Sequence, residues 1–526
     1  MAVTVAVIGS GPAGVSAARP LVEAGLPVTM IDAGGGPPSL PATRPPLAEL
    51  RAGGPDAWRH LVGEDLRGMR LMPAVSPKLR LAAGPDNFAA FAQANAIDSD
   101  NFVVIGALVR GGLSNIWGAA TFTYDRTDMA GWPIGPAELA ASYRRISERI
   151  GMSGPEIDEL DREVPPLVLQ QPLPLSPLEL RIVAAHSRRR SGEFQLGRSR
   201  VAVLSADYRG RKGCTLDNAC MFGCVQGSIY SSAQEIPDLA RAPNFNFEPG
   251  FVVDRLRCDG AGWTVIGHDR QSGMRREFRA EKVVLAAGAI ASARLALEAI
   301  GGTGNSARLE HNPAIAFPIL FPGALGTAPP ERAFGLAQLI FRLPLGSGDP
   351  ADEILGQLYP ANANSVTDFL ARMPTTRPGG IGLLREMIPA LMIAFVFFPG
   401  RYSNNRVRLV EGHDGIPHLA IEGANSPDFS RLARATLRRL RRHFLRLGGL
   451  VLPASSQIMQ PGADVHYAGP LAMGSRSDRL GEVNGAPGLH AVDGAALPSL
   501  PPRNPTLTIM ANADRIGTAL AEAWRR

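Results

Sequence analysis

A chain of 526 residues is too long for one hydrophobic core, and 45% hydrophobic with 19% charged residues describes a globular enzyme rather than a disordered chain. The net charge of +6 comes almost wholly from arginine spread along the sequence, with lysine only at Lys78, Lys212 and Lys282, which argues against a nucleic-acid partner. The longest apolar run, Met387 to Phe398, is too short to cross a bilayer and reads as a core strand, so no membrane partner is expected.

Residues 3 to 32 form a strand–turn–helix–strand unit. Val3, Val5, Val7 and Ile8 suit a buried parallel strand that stops at Gly9-Ser10-Gly11-Pro12-Ala13-Gly14, a G-x-G-x-x-G turn. Gly9 permits the sharp turn, Gly11 lets backbone approach a pyrophosphate, and Gly14 lets the next helix, about Ala13 to Ala24, pack on the strand. That helix points its positive end at the phosphates. A second strand, Val28 to Ile31, runs into Asp32 and Ala33, where the acid is spaced to hydrogen-bond a ribose hydroxyl. Dinucleotide binding follows. Because Val3 is already in the first strand, no export signal is expected. Four cysteines fit a reducing compartment, and a cytoplasmic location is the expectation.

A Pro/Gly-rich loop follows Asp32, and residues 47 to 100 carry no assignable role. The stretch Arg110-Gly111-Gly112-Leu113-Ser114-Asn115-Ile116-Trp117-Gly118 suits close approach to a flat ligand, with the Asn115 amide offered to a heterocycle edge, or equally a buried turn with a core tryptophan. Residues 136 to 150 read as an amphipathic surface helix, and 162 to 200 as surface chain. Cys214, Cys220 and Cys224 have C-x5-C-x3-C spacing, which lacks the paired units of a zinc site and points to buried structural thiols.

Residues 244 to 285 alternate as a β-meander that runs into Ala287-Gly288 and a helix. Between 311 and 460 the nucleotide-binding signatures vanish. Strands are predicted at about 314 to 321, 336 to 343, 390 to 398, 406 to 411 and 417 to 421, with a long lid loop over 345 to 385. Near the C-terminus, His466 lies beside a glycine-rich turn, where a histidine serves as a base or as a structural residue.

Five blocks occur in order: GSGPAG, GGLSNIWG, VVLAAGAIASARL, HYAGPLAMG and LHAVDGAALPSLPPRNPTLTIMANA. Together they resemble the glucose-methanol-choline (GMC) family of FAD-dependent oxidoreductases, in particular the subgroup with GG-x-S-x-x-W-G that includes pyranose and glycoside oxidases and dehydrogenases. The resemblance implies an α/β, two-domain fold. A Rossmann-like FAD-binding domain with a parallel sheet would use 1–35, 80–130, 201–310 and 462–526. A substrate domain on a mainly antiparallel sheet flanked by helices, with lid loops, would use 36–79, 131–200 and 311–461.

The resemblance further implies oxidation of an alcohol CH–OH to a carbonyl, with hydride passing to flavin N5, His466 as general base and Asn504 as its partner. Asp493 and Gly494 would approach the flavin, Thr506 and Leu507 would open a helix beneath its carbonyl edge, and Pro505 would join the FAD contacts. Val252, Ala287 and Gly288 join the expected FAD contacts. Some relatives attach FAD through a histidine where this chain has Ile116, so non-covalent FAD is expected. Pro470 and Ala472 depart from residues common in relatives, which touches the substrate contacts rather than the base.

The expected substrate is a small-molecule alcohol: a sugar, a glycoside or a secondary-metabolite alcohol. The expected electron acceptor is dioxygen, or a quinone or redox protein. The alternatives are a flavin-scaffolded lyase of the hydroxynitrile-lyase type and a flavin monooxygenase or reductase using NAD(P)H. With only one G-x-G-x-x-G in the chain, a second nicotinamide site is not indicated.

Overall fold

The computed structural model describes residues 3–36, 44–54, 56–66, 68, 86–260, 262–363, 375–412, 415–452 and 455–525. Residues 37–43 of the proline-rich stretch after Asp32 and residues 364–374 of the expected lid loop lie outside the described residues.

The opening unit folds as its apolar spacing dictates. Val3–Ile8 pairs in parallel with Val28–Asp32 on one side and with the end of Arg275–Leu285 on the other, and Phe245–Pro249 extends the sheet beyond Val28–Asp32. The short strand Leu489–Ala491 joins the other edge of Arg275–Leu285, also in parallel. A meander of Phe251–Cys258, Trp263–Asp269 and the first part of Arg275–Leu285 completes this seven-stranded sheet. The expected β-meander is thus antiparallel over three strands, while Phe245–Pro249 leaves it for the parallel half.

The first helix, Pro12–Glu23, packs against the C-terminal helix, Thr506–Trp524. Gly517 makes the close crossing possible, since a Cβ there would meet the Ala17 carbonyl at 2.4 Å. The helix Pro136–Ile150 lies on the same layer rather than loose on the surface. Its Leu139, Tyr143 and Ile146 are fully buried, and Tyr143 Oη shares a hydrogen bond of 2.6 Å with Thr508 Oγ1.

A second, antiparallel sheet runs in the order Leu450–Val451, Ala314–Leu320, Leu391–Phe397, Glu353–Pro360, Leu339–Pro344 and Gln195–Arg198. One face is covered by the helices Pro177–Arg188 and Phe429–Arg446, whose Ile182, Leu440 and Phe444 join Phe317, Phe341 and Val396 in one apolar core. A smaller five-stranded sheet contains Ile97–Asp100, Ser306–His311 and Tyr467–Ala468.

Three expectations change here. Residues 345 to 385 are not one loop, because Glu353–Pro360 is an interior strand and Arg377–Met387 a helix. Gly356 masks the strand in the sequence, yet the fold needs it: the Phe341 ring of the paired strand lies where a Cβ would stand, 2.0 Å away. The run from Met387 to Phe398 enters the sheet only at Leu391, since Pro389 sits in a 3-10 turn that the strand cannot absorb. Residues 162 to 200 are not all surface chain. Ser176 and Glu179 form a reciprocal capping box that starts a helix, and Gln195–Arg198 is an edge strand.

Candidate active site

The G-x-G-x-x-G turn uses its glycines for different purposes. Gly9 has φ of 105°, and a Cβ on it would lie 2.3 Å from the Ala286 carbonyl; a Cβ on Gly14 would lie 1.9 Å from Gly9 O. Those two are required by the fold. Gly11 has an ordinary φ of −63° and nothing within 4 Å of a Cβ, so the fold does not demand it. It faces a cavity of about 780 Å³, also lined by Gly9, Pro12, Ala13, Asp32 and Ala33. Asp32 is buried and tied to its own loop: its two oxygens accept from the backbone N–H of Ser10 and Gly34, each at 2.6 Å. Burial raises its pKa above the usual carboxylate value.

Across the cavity, Asp493 accepts from Gly288 N at 2.9 Å, Ser292 Oγ at 2.6 Å and Ala495 N at 2.9 Å, which locks the 287–289 turn to the C-terminal segment. Burial pushes this carboxyl up to about 6. Val252, Ala287, Gly288, Gly494, Pro505 and Thr506 line the same cavity, the last at the N-terminal end of its helix.

The 110–118 loop is divided. Gly112, Ser114, Ile116, Trp117 and Gly118 line the cavity. Arg110, Gly111, Asn115 and, in the first turn, Gly14 stand behind the wall. Gly111 N donates to Ser10 Oγ at 2.9 Å and so joins this loop to the glycine turn. Asn115 does not offer its amide to a ligand. Its Nδ2 donates to the carbonyls of Arg110 and Gly112 at 2.9 and 2.8 Å, and its Oδ1 accepts from Ser231 Oγ at 2.6 Å, so donor and acceptor are both spent inside the protein.

His466 and Asn504 come together although 38 positions apart, with His466 Nε2 3.3 Å from Asn504 Nδ2. The other ring nitrogen, Nδ1, is 3.0 Å from Asn312 Oδ1. Asn312 cannot flip, because its Nδ2 donates to the carbonyls of Phe398 at 2.9 Å and Pro501 at 3.0 Å. An oxygen facing Nδ1 requires a proton on Nδ1, which leaves the lone pair on Nε2, toward Asn504 and the cavity. Asn504 is oriented in the same way: its Oδ1 accepts from Gln357 Nε2, and Gln357 Oε1 accepts from Tyr359 Oη at 2.7 Å.

The imidazole lies against Phe397, with ring centroids 4.8 Å apart, and burial pushes its pKa down to about 3. Asp464 braces it from behind, accepting from the backbone N–H of Asn312 at 3.0 Å and of His466 at 3.1 Å. Between them Val465 holds φ of 66°, a strained conformation for a β-branched residue that these two bonds help to impose. Burial raises the Asp464 carboxyl to about 8. Beside Asn504, the Arg503 guanidinium is buried among Asp125, Asp128 and Glu353, which fixes the loop that carries the amide.

Residues 3–102 match the family described as pyridine nucleotide-disulphide oxidoreductase. Paromamine 6'-oxidase from Streptomyces fradiae is 26% identical, over 98% of this chain and 91% of the relative. C-glycoside 3-oxidase from Microbacterium trichothecenolyticum is 27% identical over 54% of this chain and 56% of its own. The crystal structure of pyridoxine 4-oxidase from Mesorbium loti shares the fold, with a TM-score of 0.62 at 16% identity and 98% of both chains covered.

These likenesses fit the GMC family of FAD-dependent oxidoreductases. The fold is the mixed α/β arrangement with a Rossmann-like FAD-binding part, and the relatives are consistent with an alcohol oxidoreductase of the EC 1.1 class and indicate FAD as its cofactor. The residues present fit that cofactor. Gly11 keeps open a space that a Cβ would fill, the first helix starts at its edge, and the cavity runs unbroken from the glycine turn to His466.

Sequence reasoning missed Asn312, Gln357, Tyr359 and Asp464. Asp464 alone carried a signal, its place two residues before His466; the others are common residue types, Gln357 and Tyr359 on one distant strand and Asn312 in the link between two others. The three cysteines of the 214–224 stretch hold free thiols. Burial pushes Cys214 up to about 11 and raises Cys220 further, and among the described residues no group of three His, Cys, Asp or Glu side chains is arranged to hold a metal ion. No helix among the described residues is long and apolar enough to cross a membrane.

Proposed function

We propose that the protein oxidises the CH–OH group of a small-molecule alcohol to a carbonyl, with His466 as the base. The observation that carries this reading is the juxtaposition of a lone-pair nitrogen, His466 Nε2, and an amide donor, Asn504 Nδ2, in the wall of the cavity that begins at the glycine turn. A bound alcohol would donate its hydroxyl proton to Nε2 while Asn504 Nδ2 donates to the hydroxyl oxygen. Both groups are preset, since Asn312 fixes the imidazole tautomer and Gln357 fixes the amide. FAD, when bound, supplies the hydride acceptor.

Gly9, Gly11, Pro12, Ala13 and Asp32 would hold the adenosine and pyrophosphate. Gly112, Ser114, Trp117, Gly118, Val252, Gly288, Asp493, Gly494, Pro505 and Thr506 would shape the rest of the FAD site, with Arg110, Gly111 and Asn115 supporting it from behind. Ile116 offers no atom for covalent attachment, so FAD would be held without a bond. The relatives are named as oxidases, which favours dioxygen as the acceptor.

The test is anaerobic titration of the purified holoenzyme with alcohols, following flavin absorbance. Bleaching by an alcohol supports the reading. Bleaching by NAD(P)H alone would favour a monooxygenase or reductase, and cyanohydrin turnover without bleaching a lyase.

A further inference from the structure

We infer that the alcohol group is presented on an apolar, uncharged body, and that a polycationic amino sugar is a poor substrate. This rests on the reading of the cavity as an alcohol-oxidation site.

The argument starts from the strand Leu391–Phe397, LMIAFVF. Side chains alternate along a strand. Met392, Ala394 and Val396 point into the core beneath the helix Phe429–Arg446, and Leu391, Ile393, Phe395 and Phe397 face the cavity. Both faces are apolar. A wall that met a hydrated glycoside would carry amides, hydroxyls or carboxylates on the second face, because each sugar hydroxyl brought out of water needs a partner.

The flanking strands extend the pattern. Pro318 lies opposite Ile393, and Ala316 opposite Phe395; these small residues leave width beside the two large ones. On the other side Gln357 pairs with Phe395 and Tyr359 with Ile393. Their polar atoms are turned to each other and to Asn504, so they serve the reacting end rather than the body of a substrate. Leu384 and Met387 of the helix Arg377–Met387 and Leu452 and Met459 close the space above, with Ser455 and Gln457 as the other polar side chains on this part of the lining.

Charge points the same way. The ionisable acids among the described lining residues are Asp32, Asp464 and Asp493. Asp32 and Asp493 are occupied by N–H and O–H donors of the glycine-turn end. Asp464 lies behind His466, where burial favours its neutral form. An ammonium group entering beside Phe395 would lose its hydration and meet no carboxylate among these residues.

The test compares reduction of the flavin in the holoenzyme by a medium-chain aliphatic alcohol, a benzylic alcohol, methyl glucoside and paromamine under anaerobic conditions. The expected second-order reduction rate is at least about a hundredfold higher for the two apolar alcohols. In Phe395→Glu the preference should narrow by about tenfold or more, through a higher Kd for the apolar alcohols, while flavin content stays at the wild-type level. Faster reduction by paromamine or methyl glucoside would overturn the substrate class and leave alcohol oxidation standing. Failure of every alcohol, in a protein that retains FAD, would bring down both.

Discussion

The two halves of the cavity are built from different materials. Around the glycine turn the wall is mostly main chain: Gly9 curls under the Ala286 carbonyl, Asp32 binds backbone N–H groups, and Gly11 contributes only open space. Around His466 the wall is made of side chains delivered by several separate segments: Asn312, Gln357, Phe397, Asp464 and Asn504. A site made of main chain depends on glycine spacing within one short segment. A site made of side chains depends on sheet register, so neighbours in space are strangers in sequence.

That contrast can be broken at either half. The largest effect belongs to His466→Ala, which should retain FAD but slow flavin reduction by an alcohol at least about a hundredfold in stopped-flow absorbance. An unchanged rate would remove the imidazole from the reaction. Gly11→Val tests the other half. Since nothing lies within 4 Å of a Cβ there, the FAD-free protein should melt at the wild-type temperature, whereas FAD affinity, measured by fluorescence titration, should fall about tenfold or more. A destabilised FAD-free protein would show that the fold, not the cofactor, requires this glycine.

Gln357→Leu removes the group that orients the Asn504 amide and should lower the reduction rate several-fold, up to about tenfold, with flavin content unchanged. An effect on Kd alone would make Gln357 a substrate contact instead.

The smallest expected change is an absence of one in the pH profile. Burial lowers the His466 pKa from 6.5 to about 3, so the neutral, proton-accepting form persists as pH falls through 6.5. The reductive rate should show no break near that value. The same shift has a stability sign: between about pH 6.5 and 3 the unfolded chain takes up a proton that the folded chain refuses, so His466 makes folding progressively less favourable as pH drops through this window. Asp464, raised to about 8, acts oppositely, its cost growing as pH rises from the ordinary carboxylate value toward 8. The loss of denaturation midpoint between pH 6.5 and 3 should be smaller in His466→Ala than in the wild type, and equal losses would contradict the buried imidazole.

The sequence carried the nucleotide half almost completely, because the G-x-G-x-x-G spacing and the acid after the second strand are local facts. His466 was marked by its glycine-rich turn as a base or a structural residue, but its role, and Asn504 altogether, were legible only through resemblance; nothing in the letters between them says that they touch. For Asn115 the letters left a ligand-facing amide and a buried turn equally open, and the second holds, because loop amides satisfy their own backbone as readily as a ligand. The strand Glu353–Pro360 was hidden by Gly356, whose reason is a phenylalanine ring on another strand. The capping box at Ser176 and Glu179, by contrast, stood in the letters and was passed over.

One pairing bears on how the chain is made. Leu489–Ala491 hydrogen-bonds alongside Arg275–Leu285, and the Thr506–Trp524 helix seats against Pro12–Glu23, so the first helix waits for a segment made much later. A nascent chain leaves the ribosome with its first helix lacking the neighbour that covers it, and this half closes only once residues 489–524 have emerged. Chains released before residue 489 should therefore emerge colourless and fall to proteolysis or aggregation, which makes yellow colour at purification a readout of translation past that strand.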